Sequence, residues 1–161
     1  MGSSIEIIRT TDIKDAPLIH NVLFEAFNPY SEQYTEAAMK ATIVSTKDLE
    51  ERLGSPDFEV LIARYNNIIA GTASVKTEAG RNLYLSSMAV KPECYGKGIG
   101  YRILEEVEKT AITKGCLTVS LETSAPLVNA INLYEKFGFE RTGNERDYYG
   151  VTIFEMIKRL K

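Results

Sequence analysis

Three features of the sequence predict an α/β chain of the α+β type, with a mixed, mostly antiparallel six- to seven-stranded sheet and helices on both faces. β-rich segments and amphipathic segments alternate in the order β-α-α-β-β-β-α-β-α-β-β. Three strand-like runs follow one another without a helix between residues 58 and 90, which calls for antiparallel neighbours. The later helical segments each carry one apolar face, so each needs a sheet face to cover.

"IEIIR" (5–9) reads as the first strand. In "DIKDAPLIHNVLFEAF" Asp12 or Asp15 caps a helix, Pro17 fits only its first turn, and Asn28-Pro29 ends it. A second helix is expected from about Ser31 into the forties, and "TKDLEERLG" adds a short helix stopped at Gly54. "FEVLIARYNNIIAGTASVKT" is a hairpin turning on Asn66-Asn67, residues that accept positive φ. "NLYLSSMAV" (82–90) has apolar residues on both faces, as a central strand does. A helix follows from Gly98 to Lys114, with Ile99, Ile103, Val107 and Ala111 on one face and Gly115 at its end. "CLTVSLET" is a strand and "APLVNAINLYEKFG" a helix burying Ala130, Leu133, Tyr134 and Phe137. "FERTG" and "YYGVTIFEMIKRL" form a closing hairpin.

Composition narrows the function. The length fits a single domain over residues 1–161, without a repeat or linker. A net charge of −3 with no basic stripe argues against nucleic-acid binding. No apolar run is long enough to span a membrane, and no secretory segment is seen. Met1-Gly2-Ser3-Ser4 reads as a start remnant, and Glu6 spoils a myristoylation pattern. Cys94 and Cys116 have no metal-ligand spacing, so no metal site is expected and a reduced, cytoplasmic setting is. The one histidine, His20, shares helical spacing with Ala16, Leu23 and Phe27, which points to packing rather than catalysis.

The chemistry concentrates in "AVKPECYGKGIGYRIL" (89–104). Gly96, Gly98 and Gly100 lie between a strand and a helix N-terminus, where amides converge and the helix dipole attracts anions. Lys97 adds a cation, with Lys91 and Arg102 near it in sequence. The P-loop pattern fails because Gly98 follows the lysine, and G-x-G-x-x-G fails because Tyr101 takes its third glycine's place.

"MAVKPECYGKGIG" and "LYEKFGF" (133–139) together resemble the two conserved blocks of the GCN5-related N-acetyltransferase (GNAT) family, in the right order and spacing. The match rests on Val90, Pro92, Gly98, Ile99 and Gly100; Tyr95 replaces the family's glutamine or arginine. The resemblance implies the GNAT-like acyl-CoA N-acyltransferase fold and acetyl-CoA as cosubstrate, bound between strands 82–90 and 117–123. Met88, Ala89 and Val90 would hold the pantetheine arm. The loop of Tyr95, Gly96, Lys97, Gly98, Ile99, Gly100 and Tyr101 would hold the pyrophosphate.

The acceptor amine must attack as the free base, which is about one molecule per thousand for a lysine-like amine at neutral pH. Ser86 stands where many relatives carry a glutamate, so Glu122 is the substitute candidate, with Ser86 and Tyr84 holding water. Tyr134 matches the family's general acid, a phenol with pKa near 10 that protonates the departing thiolate. Asn129 is carried over as a cofactor contact although it lies about 200° around a helix from Leu127, the position that matches the family's asparagine. The acceptor pocket would draw on "FNPYSEQYTEAAMK" and "NERDYYGV", where Tyr30, Tyr34, Glu32 and Glu36 favour a cationic amine. The expected function is N-acetyl transfer to a small-molecule or peptide amine, in a chain that could form a homodimer. The alternative is a non-catalytic acyl-CoA sensor of the same fold.

Overall fold

A computed structural model describes residues 4–161; of the expected start remnant Met1-Gly2-Ser3-Ser4, the first three lie outside the described residues. The strands are β1 (Ile5–Thr10), β2 (Phe58–Tyr65), β3 (Ile68–Glu78), β4 (Asn82–Val90), β5 (Thr118–Thr123), β6 (Glu140–Tyr148) and β7 (Val151–Arg159). The helices are α1 (Ala16–Phe27), α2 (Glu36–Thr42), α3 (Thr46–Leu53), α4 (Ile99–Thr113) and α5 (Val128–Phe137). The strands form one sheet in the order β1-β2-β3-β4-β5-β7-β6, with β4 and β5 its parallel pair. β4 is therefore the central strand, as its two-faced apolar pattern requires.

Period-2 alternation splits the core. Leu61 and Ala63 of β2 face α4 and α5, while Val60 and Ile62 face α1 and α3. Ile99, Ile103, Val107 and Ala111 fill the first layer, and Ile19, Leu23 and Leu49 the second. Asn66 and Asn67 both adopt positive φ (51° and 64°), the twist that a two-residue hairpin needs. His20 is half-buried, its Nδ1 bonded to the Val44 carbonyl oxygen at 2.8 Å.

The structure corrects three segments. The second helix begins at Glu36 instead of Ser31, because Thr35 caps it by accepting from Ala38 N at 3.0 Å. Residues 31–34 remain in turns, where the Tyr34 hydroxyl bonds Ser124. The expected loop at "NERD" is part of β6, which continues past a bulge around Gly143 (φ 92°). The hairpin turn falls at Tyr149-Gly150, both at positive φ (52° and 90°), and Thr35 Oγ1 donates to the Tyr149 carbonyl at 2.6 Å.

β4 itself changes face partway along. Ser74 pairs with Ser86 but Thr72 pairs with Ala89, so β4 carries one residue more than β3 there. Ser87 absorbs the extra length at φ 50°. Leu83 and Leu85 face the α4 layer before the bulge, Met88 and Val90 face it after, and Ala89 turns to the α1 layer. On its other edge β4 pairs with β5 only from Asn82↔Thr118 to Tyr84↔Ser120. Beyond Tyr84 the two strands run on without partners for each other.

Candidate active site

That parting of β4 and β5 opens a groove of about 1070 Å³. This is above the usual ~300–1,000 Å³ of a site for one small ligand, as room for two would be. Ser86, Met88, Ala89 and Val90 form its β4 wall. Glu122, Thr123 and Ser124 line it from β5 and just beyond. The Thr123 hydroxyl is buried without a hydrogen-bond partner among the described residues.

At one end the wall is the glycine loop. Tyr95, Gly96, Gly98, Ile99, Gly100 and Tyr101 line the groove, whereas Lys97 is exposed and does not. Gly98 is the cap residue of α4 at φ 80°, and a Cβ built on it meets no protein atom within 4 Å. The first intrahelical bond runs from Arg102 N to the Gly98 carbonyl, and no side chain caps the helix. The amides of Ile99, Gly100 and Tyr101 thus precede the ladder at the positive end of a 15-residue helix. Gly100 serves packing, since a Cβ there would come within 2.7 Å of Leu133 Cδ2 on α5. The cationic patch expected beside the loop is partly neutralised. Lys91 lies 3.7 Å from Glu25 and Arg102 3.6 Å from Glu105.

α5 supplies the opposite wall. Tyr134 is 8% exposed and lines the groove, and its phenol hydroxyl makes no hydrogen bond to protein among the described residues. Burial pushes its phenol up to about 12, assisted by the nearby Tyr34, so it stays protonated well beyond the ordinary range near 10. Asn129, exposed in the first turn of α5, also lines the groove, and Leu127 is the cap residue just outside the helix.

At the other end stand charges that the sequence left scattered. Arg146 of β6 forks onto Glu122, with Nε to Oε2 at 2.7 Å and Nη2 to Oε1 at 2.8 Å. The Tyr84 hydroxyl donates to the same carboxylate at 3.1 Å. The Arg146 bonds hold Glu122 below the usual carboxylate range against the opposing effect of burial. Burial and the adjacent Glu122 raise the Tyr84 phenol. Tyr30 and Tyr34 line the groove as expected, but Glu32 and Glu36 are solvent-facing and outside it, because α2 starts later.

Sequence reasoning gave the acceptor pocket the stretch 144–151 without singling out its Arg146 and Tyr148, and missed Arg52 and the Ser87 bulge; all lie at or beside the groove. A signal existed for Arg52, three residues after the buried Leu49 and so on the flank of the inner face of α3.

The model of the acetyltransferase (GNAT) domain matches residues 27–160. The chain belongs to the GNAT acetyltransferase family. Its fold is the GNAT acyl-CoA N-acyltransferase fold. PaiA N-acetyltransferase from Thermoplasma acidophilum, solved with coenzyme A, superposes at a TM-score of 0.82. That match has 27% identity over 98% of this chain and 99% of the other. A GNAT family acetyltransferase from Elizabethkingia anophelis with acetyl-CoA bound gives a TM-score of 0.68 at 20% identity, over 97% of this chain and 98% of the other. Thialysine N-epsilon-acetyltransferase of Bos taurus is 40% identical over 65 residues, 40% of this GNAT chain and 38% of the bovine protein. IAA acetyltransferase of Azospirillum brasilense is 34% identical over 95 residues, 58% of this chain and 61% of that one. The matches therefore span about two fifths and three fifths of those relatives' lengths. Among the described residues no helix is long and apolar enough to cross a membrane.

Proposed function

We propose that this chain transfers an acetyl group from acetyl-CoA to a primary amine by direct attack in a ternary complex. The observation that carries the reading is the parting of β4 and β5 beyond Tyr84, with the amide loop at one end and Tyr134 on the wall. The residues present fit acetyl-CoA: an unpaired strand edge for its amide-bearing arm, open space above Gly98 for phosphate, and a partnerless Thr123 hydroxyl. Bound acetyl-CoA supplies the acyl group activated as a thioester.

The backbone of Met88, Ala89 and Val90 aligns the arm as an added strand would. The amides of Ile99, Gly100 and Tyr101 hold the phosphates. Tyr134 keeps its proton until the sulfur departs and then donates it. Glu122, kept ionised by Arg146, draws the acceptor's ammonium and polarises water beside Ser86 and Tyr84, through which the amine loses its proton. Residues 4–161 act as one catalytic unit, and Asn129 borders the donor from α5.

Incubation with acetyl-CoA and a panel of primary amines tests this, reading free thiol. Amine-dependent release is expected. Stabilisation by CoA against heat without turnover on any amine would instead make the chain an acyl-CoA sensor, a reading that Ser86, in the place of a strand glutamate, would then favour.

Lys97 lies outside the groove, so Lys97→Ala is expected to weaken CoA binding by no more than about threefold in calorimetry. Because Glu25 and Glu105 face Lys91 and Arg102, raising salt should weaken binding only shallowly. A hundredfold loss in Lys97→Ala would move the phosphate contact from amides to side chain.

A further inference from the structure

Arg52, next to last in α3, reaches the groove beside the β4 bulge. Its Nη1 donates to Ser74 Oγ at 3.0 Å and Ser87 Oγ at 2.9 Å. A guanidinium has five N–H donors, so the three on Nε and Nη2 have no side-chain acceptor among the described residues. Among those residues no carboxylate lies within 4 Å of it. Its Cζ stands 5.0 Å from the centre of the Phe58 ring, and Lys76 Nζ stands 5.5 Å from the same ring. Arg52, Phe58 and Lys76 all line the groove. Two cations thus meet here, while the groove's two carboxylates are engaged elsewhere, Glu78 by Asn82 at 3.2 Å and Glu122 by Arg146.

Burial works against this charge, drawing the Arg52 pKa down even though Asp48 on the same helix opposes the shift. Propping the bulge would need only a neutral donor such as an amide, without the cost of desolvating a cation. The planar fork with free donors is the arrangement that binds a carboxylate. Next to it, Glu122, Ser86 and Tyr84 provide the place for an ammonium.

Resting on the acetyltransfer reading, we infer that the acceptor is an amine that also bears a carboxylate, with Arg52 anchoring the carboxylate while the amine faces the β4 bulge. The anchor adds a carboxylate to the cationic amine expected from the sequence, in a groove that Tyr30 and Tyr34 line but Glu32 and Glu36 do not.

The test is calorimetry on the CoA-saturated full chain, which needs no turnover. The probes are the proteinogenic L-amino acids, each paired with its carboxamide. At least one acid is expected to bind about 10- to 100-fold tighter than its amide. Arg52→Gln, which keeps amide donors for Ser74 and Ser87, should erase that difference by weakening the acid alone, with CoA affinity unchanged. Arg52→Lys should retain part of it. Amides binding as tightly as acids in the wild type would overturn the proposal, as would no acid binding at about 10 mM. Equal weakening of acid and amide in Arg52→Gln would make Arg52 a prop for the bulge and overturn it too. Selective acid binding without thiol release on any amine would sink the transfer reading and leave the anchor standing.

Discussion

Gly98→Val is expected to lower CoA affinity by about 100-fold or more while the chain still folds. At φ 80° a β-branched residue is strained by about 1–3 kcal/mol, so the loop shifts and its amides lose their common focus. The new side chain also enters open space at a residue that lines the groove, where the described residues place no atom within 4 Å of its Cβ. Titration calorimetry with CoA gives the affinity, and circular dichroism with a melting curve shows that the fold survives. Wild-type affinity in this variant would mean that the phosphates bind elsewhere. Gly100→Val is a poorer test, because its Cβ collides with Leu133 and loosens α4 from α5.

Tyr134→Phe is expected to slow transfer about 100-fold, the low end for a positioned general acid. The phenyl ring keeps its edge contact with Phe139 (centroids 5.9 Å apart), so stability and CoA affinity should change little. The pH profile carries the sign. Burial raises the phenol to about 12, so the proton-bearing form persists through the alkaline range. Activity should therefore climb as the acceptor's ammonium deprotonates, with no downturn from Tyr134 below about 12. This replaces the alkaline limb near 10 that an ordinary tyrosine would give. The phenylalanine variant should follow the same rise at the lower rate. Wild-type turnover in the variant, with chemistry limiting, would return Tyr134 to a packing role.

What could be read in the sequence was local. The glycine loop announces itself because Gly96, the α4 cap Gly98 and Gly100 fall at alternate positions in one short stretch, and "LYEKFGF" carries its tyrosine and its positive-φ Gly138 within one segment. Asn66-Asn67 gave the hairpin for the same reason. The bulge was hidden because Ser86-Ser87 carries no glycine; Ser87 takes a positive φ because the sheet demands it. The second half of β6 (144–147) passed for a loop because β6 is an edge strand whose residues are nearly all exposed, so no period-2 pattern marks it. The Glu122–Arg146 fork and the approach of Arg52 to Ser87 join residues 24 and 35 positions apart, and only sheet order and register bring them together. The glycine-loop end of the groove was therefore legible, and the end at Arg52 and Arg146 only in part.

The short β4–β5 ladder also bears on the protein's endurance. After three pairs the sheet has a seam at its centre, with main-chain donors and acceptors of both strands left facing water. A ligand that lies along β4 closes that seam as a temporary strand, so its binding energy becomes cohesion of the sheet. Resistance to heat and to proteases should then follow the logarithm of donor concentration above its dissociation constant. Chains starved of donor would be the first to open, along the middle of the sheet rather than from its ends, and the molecule's lifetime would act as a gauge of its own cosubstrate.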